Sequence, residues 1–429
     1  DKLLIIGVHS AKFAAEGGNE RILAAAKRFG LKHPVINDSD FAIWQAFGVQ
    51  AWPTLILMDA KGNVIHTYSG EGHRQEIANQ ISHSLMLFTS LKDKAAKPAS
   101  VPLMKEKDTG VLSFPARLAA MPISGKTAVL RLFVADSGHN RILSFDDGGK
   151  VHDVIGSGTR GLKDGDFKTA QFDHPRGLAV MDGVLYVADT GNHALRAVNL
   201  QKQSVETVAG TGQRGEEYDV RGAEGKTTAL ASPWDVEPLA DGKLAVAMAG
   251  MHQIWTYDPK GGTVASAVGS GKEGLNDGPA IDADLAQPSA LSRDGDTLFF
   301  ADAESSSLRQ LKDRKVQTLI GTGLFDFGQV DGTYPKAMLQ HAQGLYAEPD
   351  KILIADTYNN AIRIYNRDVG QLTTVALPKD SLFEPGDILD VGGTIYVADT
   401  NHNRIVKLAL LKDGSSWKGT VTPLTLKLP

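Results

Sequence analysis

The chain has 429 residues, 45 basic and 50 acidic, with a formal net charge of −5 and no cysteine. That length suffices for two or more units, or for one large repeat domain with a smaller companion. The near-balanced charge argues against a broad nucleic-acid surface, no apolar run approaches the roughly 20 residues of a membrane span, and disulfides and cysteine nucleophiles are excluded within these residues.

Asp1-Lys2-Leu3 does not read as a signal peptide, and the missing cysteines leave the compartment open, with the cytoplasm favoured. Residues 1–90 are poor in glycine. LLIIGV (3–8) is a continuous apolar run, the pattern of a strand buried on both faces. Glu20–Phe29 reads as a helix with Ile22, Leu23, Ala26 and Phe29 on one stripe. A strand at Pro34-Val35-Ile36, a helical stretch over Phe41–Phe47, a hairpin of 52–59 and 64–70, and a helix over Gln75–Phe88 complete the unit. The order β-α-β-α-β-β-α predicts a small α/β sheet. Residues 91–110, lysine-rich and lacking apolar period, read as a linker.

From 111 onward glycine is abundant and one segment recurs. It runs RLFVADSGHNRILSFD from Arg131, VLYVADTGNHALRAVN from Val184, KLAVAMAGMHQIWTYD from Lys243, TLFFADAESSSLRQLKD from Thr297, KILIADTYNNAIRIYN from Lys351 and TIYVADTNHNRIVKLA from Thr394. Its aspartate position is Asp136, Asp189, Met248, Asp302, Asp356 and Asp399, at steps of 53, 59, 54, 54 and 43 residues. A proline precedes a short apolar strand at Pro115, Pro175, Pro233, Pro288 and Pro385, with Ala342 in the fifth copy. Four short strands per roughly 50-residue repeat predict a propeller blade, and six repeats predict an all-β six-bladed propeller over 111–429.

Ala188-Asp189-Thr190, Asn192-His193 and Leu195-Arg196 resemble NHL repeats. GVHS, HPVIND and WPT with ILMD in the first ninety residues resemble the later portion of a thioredoxin-like domain. Together they resemble the family in which a thioredoxin-like domain precedes a six-bladed NHL propeller, the NHL repeat-containing protein 2-like family. The resemblance implies a cis proline at Trp52-Pro53-Thr54, on a peptide-binding edge. It also implies a cysteine-containing motif that this chain does not hold. Either LLIIGVHS is the strand after that motif, so that the domain's first strand and helix are missing, or His9–Lys12 occupies the motif with its cysteines lost. On both alignments the chain has no attacking thiolate for disulfide exchange.

Gly156–Gly161, Gly210–Gly215 and Gly269–Gly274 match G-x-G-x-x-G, yet they recur per repeat and lead into Asp-Gly turns, which points to loop geometry and not to a dinucleotide. Asp136 with Asn140, Asp189 with Asn192, Asp356 with Asn359 and Asp399 with Asn401 recur singly per repeat and read as turn-bonding residues, not as calcium loops. Arg196, Arg309 and Arg363, seven residues after their aspartates, are expected to pair with carboxylates. The turn histidines His139, His193, His252 and His402 read as surface or capping groups.

The sharper candidates flank the first strand of each repeat. The residue before the proline is Phe114, His174, Ser232, Gln287, His341 or Glu384; two after it stands Arg117, Gly177, Asp235, Ala290, Gly344 or Asp387. A fold requirement would repeat one residue, and these vary among polar and ionisable types. A binding channel mouth is therefore expected from His174, Arg176, Trp234, Asp235, Gln287, His341, Gln343, Glu384, Asp387 and Arg117, and a second face from Trp52, Pro53 and Thr54. No cofactor or structural metal and no catalytic residue is assigned. The expectation is a protein- or peptide-interaction module without nucleic-acid or membrane partners, whose two parts together offer the binding surface. The alternative is a thiol-disulfide oxidoreductase whose cysteine motif lies upstream of Asp1.

Overall fold

The computed structural model describes residues 3–59, 61–70, 72–90, 110–123, 129–414 and 416–428. The chain divides into two compact units, Asp1–Lys107 and Asp108–Pro429. The predicted linker lies outside the described residues, apart from Gly110.

In the first unit the elements follow the predicted order: β1 (Gly7–His9), α1 (Asn19–Arg28), β2 (Val35–Asn37), α2 (Ala42–Ala46), β3 (Thr54–Met58), β4 (Val64–Ser69) and α3 (Arg74–Ser90). Asp38 organises the middle of the unit. Buried, it accepts Ser10 Oγ at 2.6 Å and the amides of Ile43 and Trp44 at 2.8 and 3.0 Å. It thereby fixes the start of α2 against the chain that leaves β1.

Two expectations fail here. Among the described residues the strands do not form one sheet: β1 pairs in parallel with β2, while β3 and β4 form a separate antiparallel hairpin. Leu3–Ile6 are not strand and stand exposed, and α1 buries none of its residues. A continuous apolar run predicts a doubly covered strand only where neighbouring strands and a second layer exist to cover it, and among the described residues β1 pairs with β2 alone.

The second unit is almost entirely β. Each repeat folds as an antiparallel meander, as in Pro175–Met181, Val184–Asp189, Ala194–Asn199 and Ser204–Ala209. The leading strands of the repeats are Pro115–Ile123, Pro175–Met181, Pro233–Pro238, Pro288–Asp294, Gly344–Ala347 and Pro385–Val391. Each packs on the leading strands of the modules before and after it, and the last packs on the first. The architecture is propeller-like. A single meander would leave both of its faces in water, so the apolar side chains lie between modules. Phe133 clusters with Phe172 and Leu185, Tyr186 with Trp255, Phe299 with Ile352, and Tyr396 with Leu132 and Phe145.

Where it is present, the recurrent aspartate fastens its module internally. Asp189 Oδ1 accepts the amide of Asp173 at 2.8 Å, and Asp136, Asp302, Asp356 and Asp399 accept the equivalent amides of Ser113, Ala286, Gln340 and Phe383. Each aspartate is fully buried and needs a counter-charge. In the second, fourth and fifth modules Arg196, Arg309 and Arg363 provide it at 2.7, 3.0 and 2.8 Å, each also holding Asp164, Asp277 or Asp331 of the preceding loop. In the first and sixth modules the partners are Arg141 with His139 and Arg404 with His402. The third module discards the pair: Met248 and Trp255 occupy those positions, both buried.

Candidate functional site

The turn after each recurrent aspartate ends on a residue in the left-handed region: Asn140, His193, His252, Ser306, Asn360 or Asn403. Its side chain accepts the amide of the residue before the next module's leading strand. Asn140 Oδ1 takes His174, His193 Nδ1 takes Ser232, His252 Nδ1 takes Gln287, Ser306 Oγ takes His341, Asn360 Oδ1 takes Glu384, and Asn403 Oδ1 takes Phe114. Asparagine is among the non-glycine residues that enter this region most readily and also supplies the acceptor. His193 and His252 are therefore staples between modules; burial, then the charge of Arg214, pushes the His193 pKa down and keeps it an acceptor.

The receiving residues are left-handed as well. Phe114, His174, Ser232, His341 and Glu384 have φ of 48, 48, 48, 50 and 48°, and Gln287 has 60°. Their backbones are equivalent while their side chains differ. His174 Nδ1 lies 2.5 Å from Asp173 Oδ1, and Asp173 also pairs with Arg160 at 2.8 Å. His341 stacks on Tyr358, with centroids 4.3 Å apart and planes 13° apart, and its Nδ1 lies 3.5 Å from Glu304 Oε1. Glu384 is buried and Gln287 half-buried.

One residue past the strand's first position, the Arg176 guanidinium lies 3.9 Å from the centroid of the Trp234 ring. At the equivalent place the backbone N–H of Gln343 donates to Thr357 Oγ1 at 3.1 Å. One residue further, Arg117, Asp235 and Asp387 converge from the first, third and sixth modules. Arg117 Nη1 donates to Asp387 Oδ1 at 2.5 Å, and Nη2 donates to Asp235 Oδ2. The same carboxylates accept backbone amides of the adjoining modules, Leu118 to Asp387 at 2.8 Å and Leu291 to Asp235 at 2.7 Å. All three side chains are buried, so they close a charged floor. Two glycines make room for it: a Cβ on Gly177 or Gly344 would stand 2.5 Å from the Cα of Asp235 or Asp387.

Two residues after Asp235, Glu237 accepts the amide of Arg293 at 3.2 Å. Burial, reinforced by the charge of Asp235, pushes the Glu237 carboxyl up to about 8. Burial outweighs Arg117 at Asp235, whose carboxyl rises to about 7, and it raises Asp387 as well. Arg117 balances one of three carboxylates, and the remaining negative charge makes protonation easier.

In the first unit the Trp52–Pro53 peptide is cis. Trp52 Nε1 donates to Ser10 O at 2.8 Å, and Thr54 Oγ1 donates to Ala51 O at 2.7 Å. Trp52 packs on Trp44 with centroids 4.3 Å apart and meets Phe41 edge-on, while 44% of its surface remains exposed.

Sequence reasoning missed Glu304, Tyr358 and Glu237. Glu304 and Tyr358 lie two residues after the recurrent aspartate, where the first three modules carry Gly138, Gly191 and Gly250. Aligning that column shows the break in pattern. Glu237 has no such signal, because its coupling to Asp235 and Arg117 depends on the folded strands.

The NHL repeat profile matches residues 172–197, the span that holds His174, Asp189 and Arg196. NHL repeat-containing protein 2 of Bos taurus is 36% identical over 457 residues, covering 96% of this chain and 62% of that protein. Protein SUPPRESSOR OF QUENCHING 1, chloroplastic, of Arabidopsis thaliana is 35% identical over 448 residues, 96% of this chain and 42% of that one. A catalytically inactive virginiamycin B lyase from Staphylococcus aureus superposes with a TM-score of 0.46 and 11% identity, over 73% of this chain and 86% of that one. The chain spans about three-fifths of the length of NHL repeat-containing protein 2. It carries an NHL repeat in a propeller-like β unit and is similar to NHL repeat-containing protein 2 along almost its whole length.

Proposed function

We propose that the second unit is a six-bladed NHL propeller and that the ring of residues before its leading strands binds a protein or peptide segment. One observation carries the reading. A left-handed backbone costs a non-glycine residue roughly 1 kcal/mol, yet histidine, glutamate, glutamine and phenylalanine occupy it here. What these residues share is the amide, which the preceding module binds; their side chains go to different neighbours, His174 to Asp173 and His341 to Tyr358 and Glu304. The asparagines of the turns earn their left-handed places as acceptors; the ring residues have no such common structural duty, so their side chains answer to a ligand. A rigid β scaffold presenting varied side chains suits recognition.

Within the first unit, the element order of residues 1–90 supports a thioredoxin-like reading, with the Trp52 face as its own peptide-binding edge. A redox role would need thiols from outside these 429 residues. Binding of random octapeptides to the whole chain, measured before and after substitution of His341 and His174, tests the ring. Unchanged binding in both variants would end this reading.

A further inference from the structure

Independently of the ring, we infer that a cavity at the junction of the fifth and sixth modules binds a small zwitterion, an amino acid with an aliphatic side chain, its carboxylate at Lys379 and its ammonium at Asp380. The cavity originates in one change within a repeated column. The residue that follows the fourth strand is Gly156, Gly210, Gly269 or Gly321 in the first four modules, with φ of 104, 96, 99 and 112°. In the fifth it is Leu377. A Cβ on Gly269 would stand 2.5 Å from the carbonyl oxygen of His252, and one on Gly210 closer still to that of His193. A leucine cannot follow that path. In the second, third and fourth modules the last residue of the fourth strand pairs with the third strand, Ala209 with Leu195, Val268 with Ile254 and Ile320 with Leu308. In the fifth the ladder stops at Thr374 with Arg363, and Val375 and Ala376 pair in parallel with Trp417 and Lys418 of the sixth. The connection onward is short, 377–384, where the glycine loops run over 156–174, 210–232, 269–287 and 321–343.

A filling side chain is missing as well. Thr207 and Thr374 occupy one register, each bonded to the aspartate of its incoming loop, Asp164 or Asp331, so Lys379 holds the place of Gly212 in the second module. Leu162 of the incoming loop packs on Gly212, where a Cβ would lie 2.9 Å from its Cδ2, and Tyr218 packs likewise on Gly271. In the fifth module Gln329 stands at the position of Leu162. What remains is a cavity of about 320 Å3, bordered among others by Gln329, Asn360, Val375, Lys379, Asp380 and Leu382, a volume at the low end for small-ligand sites. Lys379 and Asp380 are exposed, and among the described residues neither they nor Gln329 enter an ion pair or a side-chain hydrogen bond. Asn360 commits its Oδ1 to the amide of Glu384 and keeps its Nδ2 donor. Val375 and Leu382, both buried, supply the apolar wall. This lining sorts ligands. Among the described residues no aromatic ring borders the cavity, so a nucleobase has nothing to stack on. A phosphate meets Asp380 beside Lys379, and a wholly apolar ligand strips water from both charges. A molecule with one charge of each sign and a short aliphatic group suits every wall.

The test titrates the whole chain with L-leucine, L-isoleucine and L-valine, each also in N-acetylated and amidated form, read by ligand-observed NMR. At least one free amino acid is expected to bind with a dissociation constant on the order of 1 mM. Each blocked form lacks one charge and should bind about two- to fivefold more weakly. Lys379→Gln brings the free and amidated forms level, and Asp380→Asn does so for the free and N-acetylated forms. Gln329→Leu, which copies Leu162, fills the cavity and abolishes binding. Melting curves of each variant show that the propeller-like unit remains folded. Four outcomes would overturn the assignment: no binding by any of the three amino acids at about tenfold that concentration, equal affinity of free and blocked forms, a preference for the free forms that survives both charge variants, or unaltered binding in Gln329→Leu.

Discussion

The hydroxyl of Thr400 donates to the carbonyl of Pro115 at 2.8 Å, across 285 positions of sequence. Thr190 to Pro233 and Thr357 to Pro385 repeat the bond at interior junctions. Only Thr400 makes it between the two ends of the unit, together with Asn403 to Phe114 and a main-chain bridge between Lys427 and the strand edge at Lys150.

Closing the ring is therefore expected to limit stability. Thr400→Val combined with Asn403→Ala removes one buried and one half-buried bond and costs about 2 kcal/mol. Amide exchange should rise first in the first and last modules. The matched pair at an interior junction, Thr190→Val with His193→Ala, costs a similar amount without localising exchange to the chain ends. Identical exchange patterns would show that the closing contacts have no special role.

The third module gives an experiment on its neighbours. Asp189→Ala removes the buried counter-charge of the fully buried Arg196, leaving it the half-exposed Asp164, and is expected to cost about 3 kcal/mol in denaturant unfolding. Asp189→Met with Arg196→Trp copies Met248 and Trp255 and should recover part of that loss. A double variant less stable than Asp189→Ala would mean that the apolar solution depends on other residues of the third module.

On the alkaline side stability should fall. Glu237 and Asp235 have folded pKa values of about 8 and about 7, above their unfolded values. Their protonated forms favour the folded state, and that contribution is complete below about pH 4 and lost as the pH rises through 8. Glu237→Gln should flatten the decline of the melting temperature between pH 6 and 9 by a few degrees. An equally steep decline in the variant would assign the effect elsewhere.

On the acid side His193 acts in the opposite sense. Its folded pKa is depressed, so its contribution is present above the unfolded value near 6.5 and is lost as the pH falls through the folded one. Protonation takes away the acceptor for Ser232. His193→Asn, which copies Asn140, Asn360 and Asn403, should leave neutral stability nearly unchanged and raise the melting temperature at pH 5. No gain at pH 5 would show that the junction tolerates the protonated ring.

Binding and stability should separate. His341→Ala is expected to weaken peptide binding several-fold while shifting the melting temperature little, because its amide bond to Ser306 is kept. Asp189→Ala should do the reverse. If His341→Ala only destabilises, the ring is structural.

The sequence by itself determined the repeat, its meander strands, the recurrent aspartates and the order of elements in the first unit. These follow from local periodicity and turn chemistry, which a chain carries wherever it folds. It also marked the columns before and after each leading proline as irregular, because departure from an internal repeat is visible without coordinates. Only the tertiary structure decided that Arg117, Asp235 and Asp387 meet, that Glu304 faces His341, and that Leu3–Ile6 lie exposed ahead of a short β1. Those outcomes depend on which strands become neighbours. Partners such as Arg117 and Asp387 lie 270 residues apart, and no local pattern encodes a distance across the ring.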